Sequence, residues 1–513
     1  TGDYNTAVGT NALDATTTTD YNTALGYDSL TTNITGATNT ALGAHTLKAN
    51  TTGSSNVAIG FGSLDVSTTA SNNVAIGYDS GGANTTGHSN VAIGKDAMLT
   101  EDTGRKNVAV GFSALRAQNA DVDNYNVAVG YNAGTAITTG TVNTLIGGLA
   151  GDAITTGSYN TFVGKDAGTA TTDSEVNVAF GNSALQANTT GDNNTALGGN
   201  ALYSATTASN NTAVGHNALD ANTTGTSNVA VGKDALGANT TASNNTAVGM
   251  NSLDATTTGA DNVAVGMNAL STSISGNENV AVGTDALKLA TGSYNTGIGW
   301  NALATTNTGA GNTAVGREAL ILNTTGAGNV GIGREALRSN TTASLNTALG
   351  FLTMRANTTG ANNTALGANA LGVNTTANNN TAVGNNCLDA NTTGASNTSL
   401  GASSLTANTT GDQNTAVGND ALGANTTADN NVAIGNDALG SNTTGAQNTA
   451  VGKQALLRNT TAANNTAVGF TALDHNTTGS ENTAVGRDAL SANTTAANNV
   501  AVGYQALLTN TTG

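Results

Sequence analysis

The stretch NTAVGHNALDANTTGTS, residues 211–227, is followed at once by NVAVGKDALGANTTASN (228–244) and NTAVGMNSLDATTTGAD (245–261). These seventeen-residue phrases set the unit from which the chain is built. Taking the Asn that opens each phrase as position 1, it recurs every 17 residues from Asn5 to Asn107, from Asn126 to Asn279, and from Asn295 to Asn499. That makes thirty repeats with two phase slips: a two-residue insertion within ALRAQNADVDNYN, near residues 118–125, and a one-residue deletion within ALKLATGSYN, near residues 285–294. Self-similarity at a fixed period marks a repeat architecture, so residues 1–513 read as one continuous array.

The consensus is N-T/V-A-V-G-x-x-A-L-x-A-N-T-T-G/A-x-x. A unit this short cannot hold a helical hairpin, which needs roughly thirty residues. Positions 1 to 4 favour a strand, because Thr, Val and Ile alternate with Ala. Gly9, Gly26, Gly43 and their equivalents supply a turn open to positive φ. AL-x-AN predicts a second short strand, and TTG or TTA returns the chain. Two strands and two turns make one coil of an all-β, parallel β-solenoid. The absence of Pro fits, because every amide is needed for a ladder.

Side-chain parity assigns the faces. The bulk at positions 4 and 9 predicts that positions 2, 4, 9 and 11 face inward, with Val214, Leu219, Val231 and Leu236 in the core. The Asn column at position 1 (Asn211, Asn228, Asn245) predicts a ladder of stacked amides, in preference to a role as simple turn residues. Position 3 is Ala in most repeats, with rare exceptions such as Leu145 and Phe162. By parity it points outward. An exposed apolar stripe of that length exceeds what a soluble monomer tolerates, so Ala7, Ala213 and Ala382 become a candidate seam between chains.

Composition narrows function by exclusion. The net charge of −17, from 15 Lys and Arg against 32 Asp and Glu, is spread thinly. No basic cluster of the kind nucleic-acid binding needs is evident. No apolar run approaches the roughly 20 residues that cross a bilayer. Cys387 stands alone and replaces an Ala, which reads as a small buried substitute. The chain opens TGDYNTAVG and closes NTTG in nearly the same phase, without the atypical capping repeats usual in solenoids, and so reads as an excerpt of a longer protein.

Chemistry-bearing residues are scattered. His45, His88, His216 and His475 fall in distant repeats, no spacing suits a metal, and no cofactor, metal or catalytic group is expected; the chain does not read as an enzyme. The pairs Lys95-Asp96, Lys233-Asp234, Arg317-Glu318 and Arg487-Asp488 read as solvated turn charges. Asn-Thr-Thr matches a glycosylation acceptor but reads better as a turn within a polar ladder. Position 6 carries aromatics, among them Tyr78, Trp300 and Phe351. They are candidate surface-binding groups, although covering the core edge or a seam is the first reading.

NNVAIG (72–77) and SNVAIG (89–94), repeated with a Gly- and Ala-rich return, resemble the head repeats of trimeric autotransporter adhesins and the shaft repeats of phage tail fibres. The resemblance covers the whole chain. It implies three identical chains wound as parallel β-rolls about one threefold axis, outside the cell, at its surface or on a virion, and serving attachment. This chain departs in its repeat length, 17 against a shorter unit, and in lacking a membrane anchor and a heptad stalk. The expected function is a trimeric fibre shaft, roughly 140 Å long at about 4.8 Å per coil. It would display a binding tip, outside these residues, to a cell-surface glycan or receptor. The alternatives are a single-chain self-assembling filament, or a glycan-binding or ice-binding solenoid, the last through the Thr columns at positions 13 and 14.

Overall fold

In a computed structural model that describes residues 2–511, the chain divides into two compact units, Thr1–Ala260 and Asp261–Gly513. Each unit is an all-β parallel solenoid with fifteen three-residue strands, one per repeat, and no helix among the described residues. The strands run from Thr6–Val8 to Thr246–Val248 in the first unit and from Val263–Val265 to Val500–Val502 in the second. Neighbouring strands within a unit pair in strict register, as in Thr212 with Val229, Ala213 with Ala230 and Val214 with Val231. Of the two terminal phrases, Thr1, Thr512 and Gly513 lie outside the described residues.

Only one strand forms per coil, not two. In the segment expected to be the second strand, Leu219 sits at φ 53° and Asn217, just before it, at φ 55°. Left-handed residues cannot continue an extended chain. The segment nevertheless stacks on its neighbour: the Leu219 amide donates to Ala235 O at 3.0 Å and that of Ala221 to Gly237 O at 3.2 Å. Residues in the left-handed region turn the peptide planes so that amides reach the adjacent coil without a strand. Asn and Asp are the non-Gly residues that tolerate this region best, which accounts for their frequency at position 7.

Gly215 ends the strand at φ +136°, and a Cβ there would lie 2.5 Å from Gly232 O in the next coil. Gly is therefore required twice, by its torsion and by the closeness of the coils. Further round the coil, the amides of Thr212, Thr223 and Ser227 also bond to a neighbouring coil's carbonyl. The missing Pro follows, because its ring would remove one of these donors.

The interior reverses the expected parity. Ala213 and Ala382 are fully buried inside their own coils, whereas Val214 and Val231 are half-buried on the outer face of the sheet. Leu219 and Leu236 are fully buried. Ala7 is exposed on the first strand, Thr6–Val8, which has a neighbour on one side only. The expected Ala seam is thus not a surface, and positions 3, 8, 9 and 12 fill the coil. The cause is thickness: a three-residue strand faces a tight turn across a gap that one Leu fills, leaving room for Ala opposite. Where position 3 is Ser399 and position 8 is Ser404, their hydroxyls are hydrogen-bonded to each other across this gap.

Volume exchange supports the same packing. Gly134, Gly151 and Gly168 replace the position-9 Leu, and there position 3 carries Leu145 or Phe162 and position 12 carries Ile137 or Ile154, all fully buried. A Cβ on Gly151 would lie 2.7 Å from Ile154 Cδ1 and 2.8 Å from Leu145 Cδ2. The large side chain has moved across the coil while the interior stays full.

Both slips are absorbed in turns. Val108 still pairs with Val127 across the insertion, and the extra residues form an exposed turn at 119–123, where Arg105 bridges to Asp123. Val280 pairs with Thr296 across the deletion.

Candidate functional site

A column of Asn at position 1 runs through each unit, and a second at position 12 is broken in the first unit and unbroken from Asn323 to Asn493 in the second. At position 1, Asn211 Oδ1 accepts the Asn228 amide at 3.0 Å, and Asn228 Oδ1 accepts that of Asn245 at 3.0 Å. Most of the side-chain NH₂ groups close their own coil; that of Asn211 donates to Gly225 O at 3.0 Å. At position 12, Asn239 Nδ2 donates to Asn222 Oδ1 at 3.0 Å, and the same bond recurs without a break from Asn323 to Asn493. Position 12 is also the Asn of Asn-Thr-Thr, so that amide is enclosed in the folded coil.

The second column is interrupted in the first unit, by Ser67, Gln118, Ile137, Ile154, Thr171 and Ala205 among others, and one of the replacements is charged. Glu101 is fully buried at position 12, where no other repeat is acidic. Its Oε1 accepts the Gly104 amide at 2.7 Å, but its Oε2 has no partner, and neither has Oδ1 of Asn84 in the preceding coil. Burial pushes its carboxyl up to about 7, and the Asp102 charge adds to the shift, against the pull of the backbone amides of Gly104, Ala120 and Thr103. Beside it, where Gly81 stands at position 9 with no bulky residue in compensation, lies a cavity of about 10 Å³ lined in part by Leu64, Asn84, Met98 and Glu101.

The aromatic column at position 6 lies at the turn, and neighbouring coils cover one or both faces of its rings. Tyr78 stacks on Phe61 with centroids 5.4 Å apart, and Lys95 Nζ lies 5.7 Å from the Tyr78 ring. Arg317 Cζ is 5.0 Å from the Trp300 ring and Arg334 Cζ 5.6 Å from that of Phe351. The paired turn charges are in contact: Lys233 Nζ is 3.0 Å from Asp234 and Arg487 Nε 3.3 Å from Asp488. The structure does not bring the four His together. His45 lies 3.6 Å from Asp28 and His475 2.8 Å from Asp474, in different units. Among the described residues no group of three His, Cys, Asp or Glu is placed to hold a metal ion. Cys387 is buried, its thiol donating to Gly401 O.

The two Thr columns differ. Thr223, half-buried, donates its hydroxyl to Thr240 O at 3.0 Å, while Thr224 is exposed. They do not form one flat hydroxyl array. The outer face of the sheet is the extended surface: position 2 is Thr or Val in every repeat, and position 4 is almost always Val, Ile or Leu. Leu42 and Ile146 in the first unit are each 40 % exposed, as are Leu366 and Leu400 in the second at 43 % and 47 %. No helix among the described residues is long and apolar enough to cross a membrane.

Sequence reasoning missed Glu101 and a cluster of Arg at residues 317–355. The signal for the first was its place as the one ionisable residue in a column otherwise made of Asn, Ser, Thr, Gln, Ile and Ala. For the second it was that four of the eight Arg fall within three consecutive repeats. No protein-family model matches the chain, and no curated protein matches it.

Proposed function

We propose that this chain is a shaft segment of an extracellular or virion fibre, in which three parallel copies associate through the outer face of the sheet. One observation carries the reading. A column of Val, Ile and Leu beside a column of Thr and Val stays open to solvent along every coil of both units. Its area far exceeds the few hundred Å² of apolar patch that a soluble monomer carries. β-Branched side chains in register give a ridged surface that packs well against a copy of itself. Interior ladders would keep such a shaft stiff, and attachment would belong to whatever it displays. The resemblance of NNVAIG and SNVAIG to adhesin-head and tail-fibre repeats supports the threefold arrangement.

Sedimentation equilibrium on the 513-residue chain tests this. A mass three times 50.0 kDa is the expected result. A monomer at micromolar concentration, or open-ended growth with no fixed stoichiometry, would overturn the trimer and favour a single-chain filament.

A further inference from the structure

We propose that Trp300, Arg317, Arg334 and Phe351, flanked by Arg338 and Arg355, form a binding patch for a carboxylate-bearing oligosaccharide. The first four occupy position 6 of four successive repeats in the second unit, so they line up in one column at the turn. The flanking pair occupies position 10 of the third and fourth of these repeats. In a chain of net charge −17, residues 280–360 carry five cations, Lys288 being the fifth, against the three anions Asp285, Glu318 and Glu335.

The carboxylates are turned inward and hold the guanidinium groups in place. Glu318 and Glu335 are 8 % and 7 % exposed. Glu318 accepts from Arg317 Nη2 at 3.1 Å and from Arg338 Nε at 3.0 Å. Glu335 accepts from Arg334 Nε at 3.1 Å and forms an ion pair with Arg355, whose Nε lies 2.9 Å from its Oε2. Arg338 and Arg355 thus meet the carboxylates through Nε, and their side chains are 37 % and 51 % exposed, which leaves terminal NH₂ groups for a ligand. A paired terminal fork is the geometry that takes a carboxylate in two parallel hydrogen bonds. Trp300 and Phe351 bracket the two position-6 Arg, each with one face on a guanidinium. They provide apolar ring surface for the C–H faces of sugars at both ends of the patch.

Charge density selects the ligand class. The patch spans three coil steps, about 14 Å. A DNA duplex carries a charge about every 1.7 Å, far more than this excess of two cations neutralises, and its remaining phosphates would meet an acidic chain. A sugar chain with a single carboxylate on each residue, or on every second one, suits two forks and two rings. This inference rests on the attachment reading of the chain, and it places a recognition surface on the shaft itself.

The test is calorimetric titration of the full 513-residue chain with oligogalacturonate, its neutral methyl ester, a sulfated oligosaccharide and a single-stranded oligonucleotide of equal charge. Oligogalacturonate is expected to bind, and the ester to bind at least about tenfold more weakly. R338Q/R355Q should weaken binding by about tenfold, R338K/R355K should restore only part of it, and W300A should lower it with the charge unchanged. The distant K233Q serves as control and should leave it intact. Equal binding of the ester, tighter binding of the oligonucleotide, or an unchanged R338Q/R355Q would overturn the patch. Tighter binding of the sulfated sugar would replace carboxylate by sulfate as its anion. Sedimentation of the same samples separates the two readings: a trimer without binding removes only the patch, and a binding monomer removes only the trimer.

Discussion

Glu101 shows how much one residue matters in a column whose other members are neutral. Where two position-12 Asn stack, the later donates to the earlier, but an ionised Glu has nothing to donate, and Asn84 Oδ1 and Glu101 Oε2, whose residues line the same cavity, are both left without a partner. A proton on Glu101 supplies the missing donor. Its carboxyl titrates near 7 in the fold and near 4.5 when unfolded. The folded state therefore binds the proton more tightly. Local stability is greatest below the unfolded value, declines as pH rises, and levels off above about 7, a loss of up to about 3 kcal/mol. Hydrogen exchange of amides 84–118 should quicken from pH 5 to 8 after correction for intrinsic rates, and Glu101→Gln, which carries an NH₂ donor, should remove that change. Asn228→Ala is the matching test of position 1: it strips the acceptor from the buried Asn245 amide and should cost about 1–3 kcal/mol in urea denaturation. The singular charge of Glu101 at position 12 was open to a reader of the sequence, and so was the interior. Leu145 and Phe162, the bulky residues at position 3, occur where Gly134, Gly151 and Gly168 replace Leu at position 9. Two positions that trade volume must share one space, and this outranks an assignment of faces by bulk alone. Bulk misled because Val and Leu at position 4 belong to a different surface.

At the level of the coil, the period, the first strand, the Gly turn and the placement of both slips were legible, because each rests on torsion or spacing that sequence encodes directly. The second strand was not. AL-x-AN has strand-like composition, but Leu219 lies in the left-handed region, where a Leu side chain is rarely found. Tertiary stacking overrides local propensity there: the buried Leu and its amide bond to Ala235 O offset the torsional cost. Two changes probe the coil. Gly232→Ala places a Cβ about where Gly249 O lies, 2.5 Å away. It should therefore disrupt the ladder and lower the melting temperature sharply, although it adds only one methyl group. Excision of Ala120 and Asp121 returns the long coil to seventeen residues; the change in loop entropy alone is worth less than about 1 kcal/mol, and a loss beyond it would report the hold of the Ala120 amide on Glu101. A large loss on excision would mean that the exposed turn is structural.

For the whole molecule, the error in parity relocates the proposed seam without removing the need for one. The Ala column was read as a contact between chains, whereas it is each coil's own lining; the Val and Leu column beside it is what faces out. Glu substitutions separate the two roles. Val214→Glu, Val231→Glu and Val248→Glu together should yield a folded monomer with its β circular dichroism retained. Ala213→Glu and Ala230→Glu should unfold the coils around them, because a carboxylate has no room or partner there. A trimer that survives the triple Val change would place the seam elsewhere. The in-register pairing of each coil with the next has a kinetic consequence. Nearly every non-local contact joins residues about seventeen apart, so adding repeats never lengthens the loop that must close. A growing chain can complete each coil on the one before it as residues emerge, with no wait for a distant partner. Lengthening such a gene by whole repeats therefore alters reach without slowing folding, and length becomes a trait that unequal recombination between near-identical repeats is free to adjust.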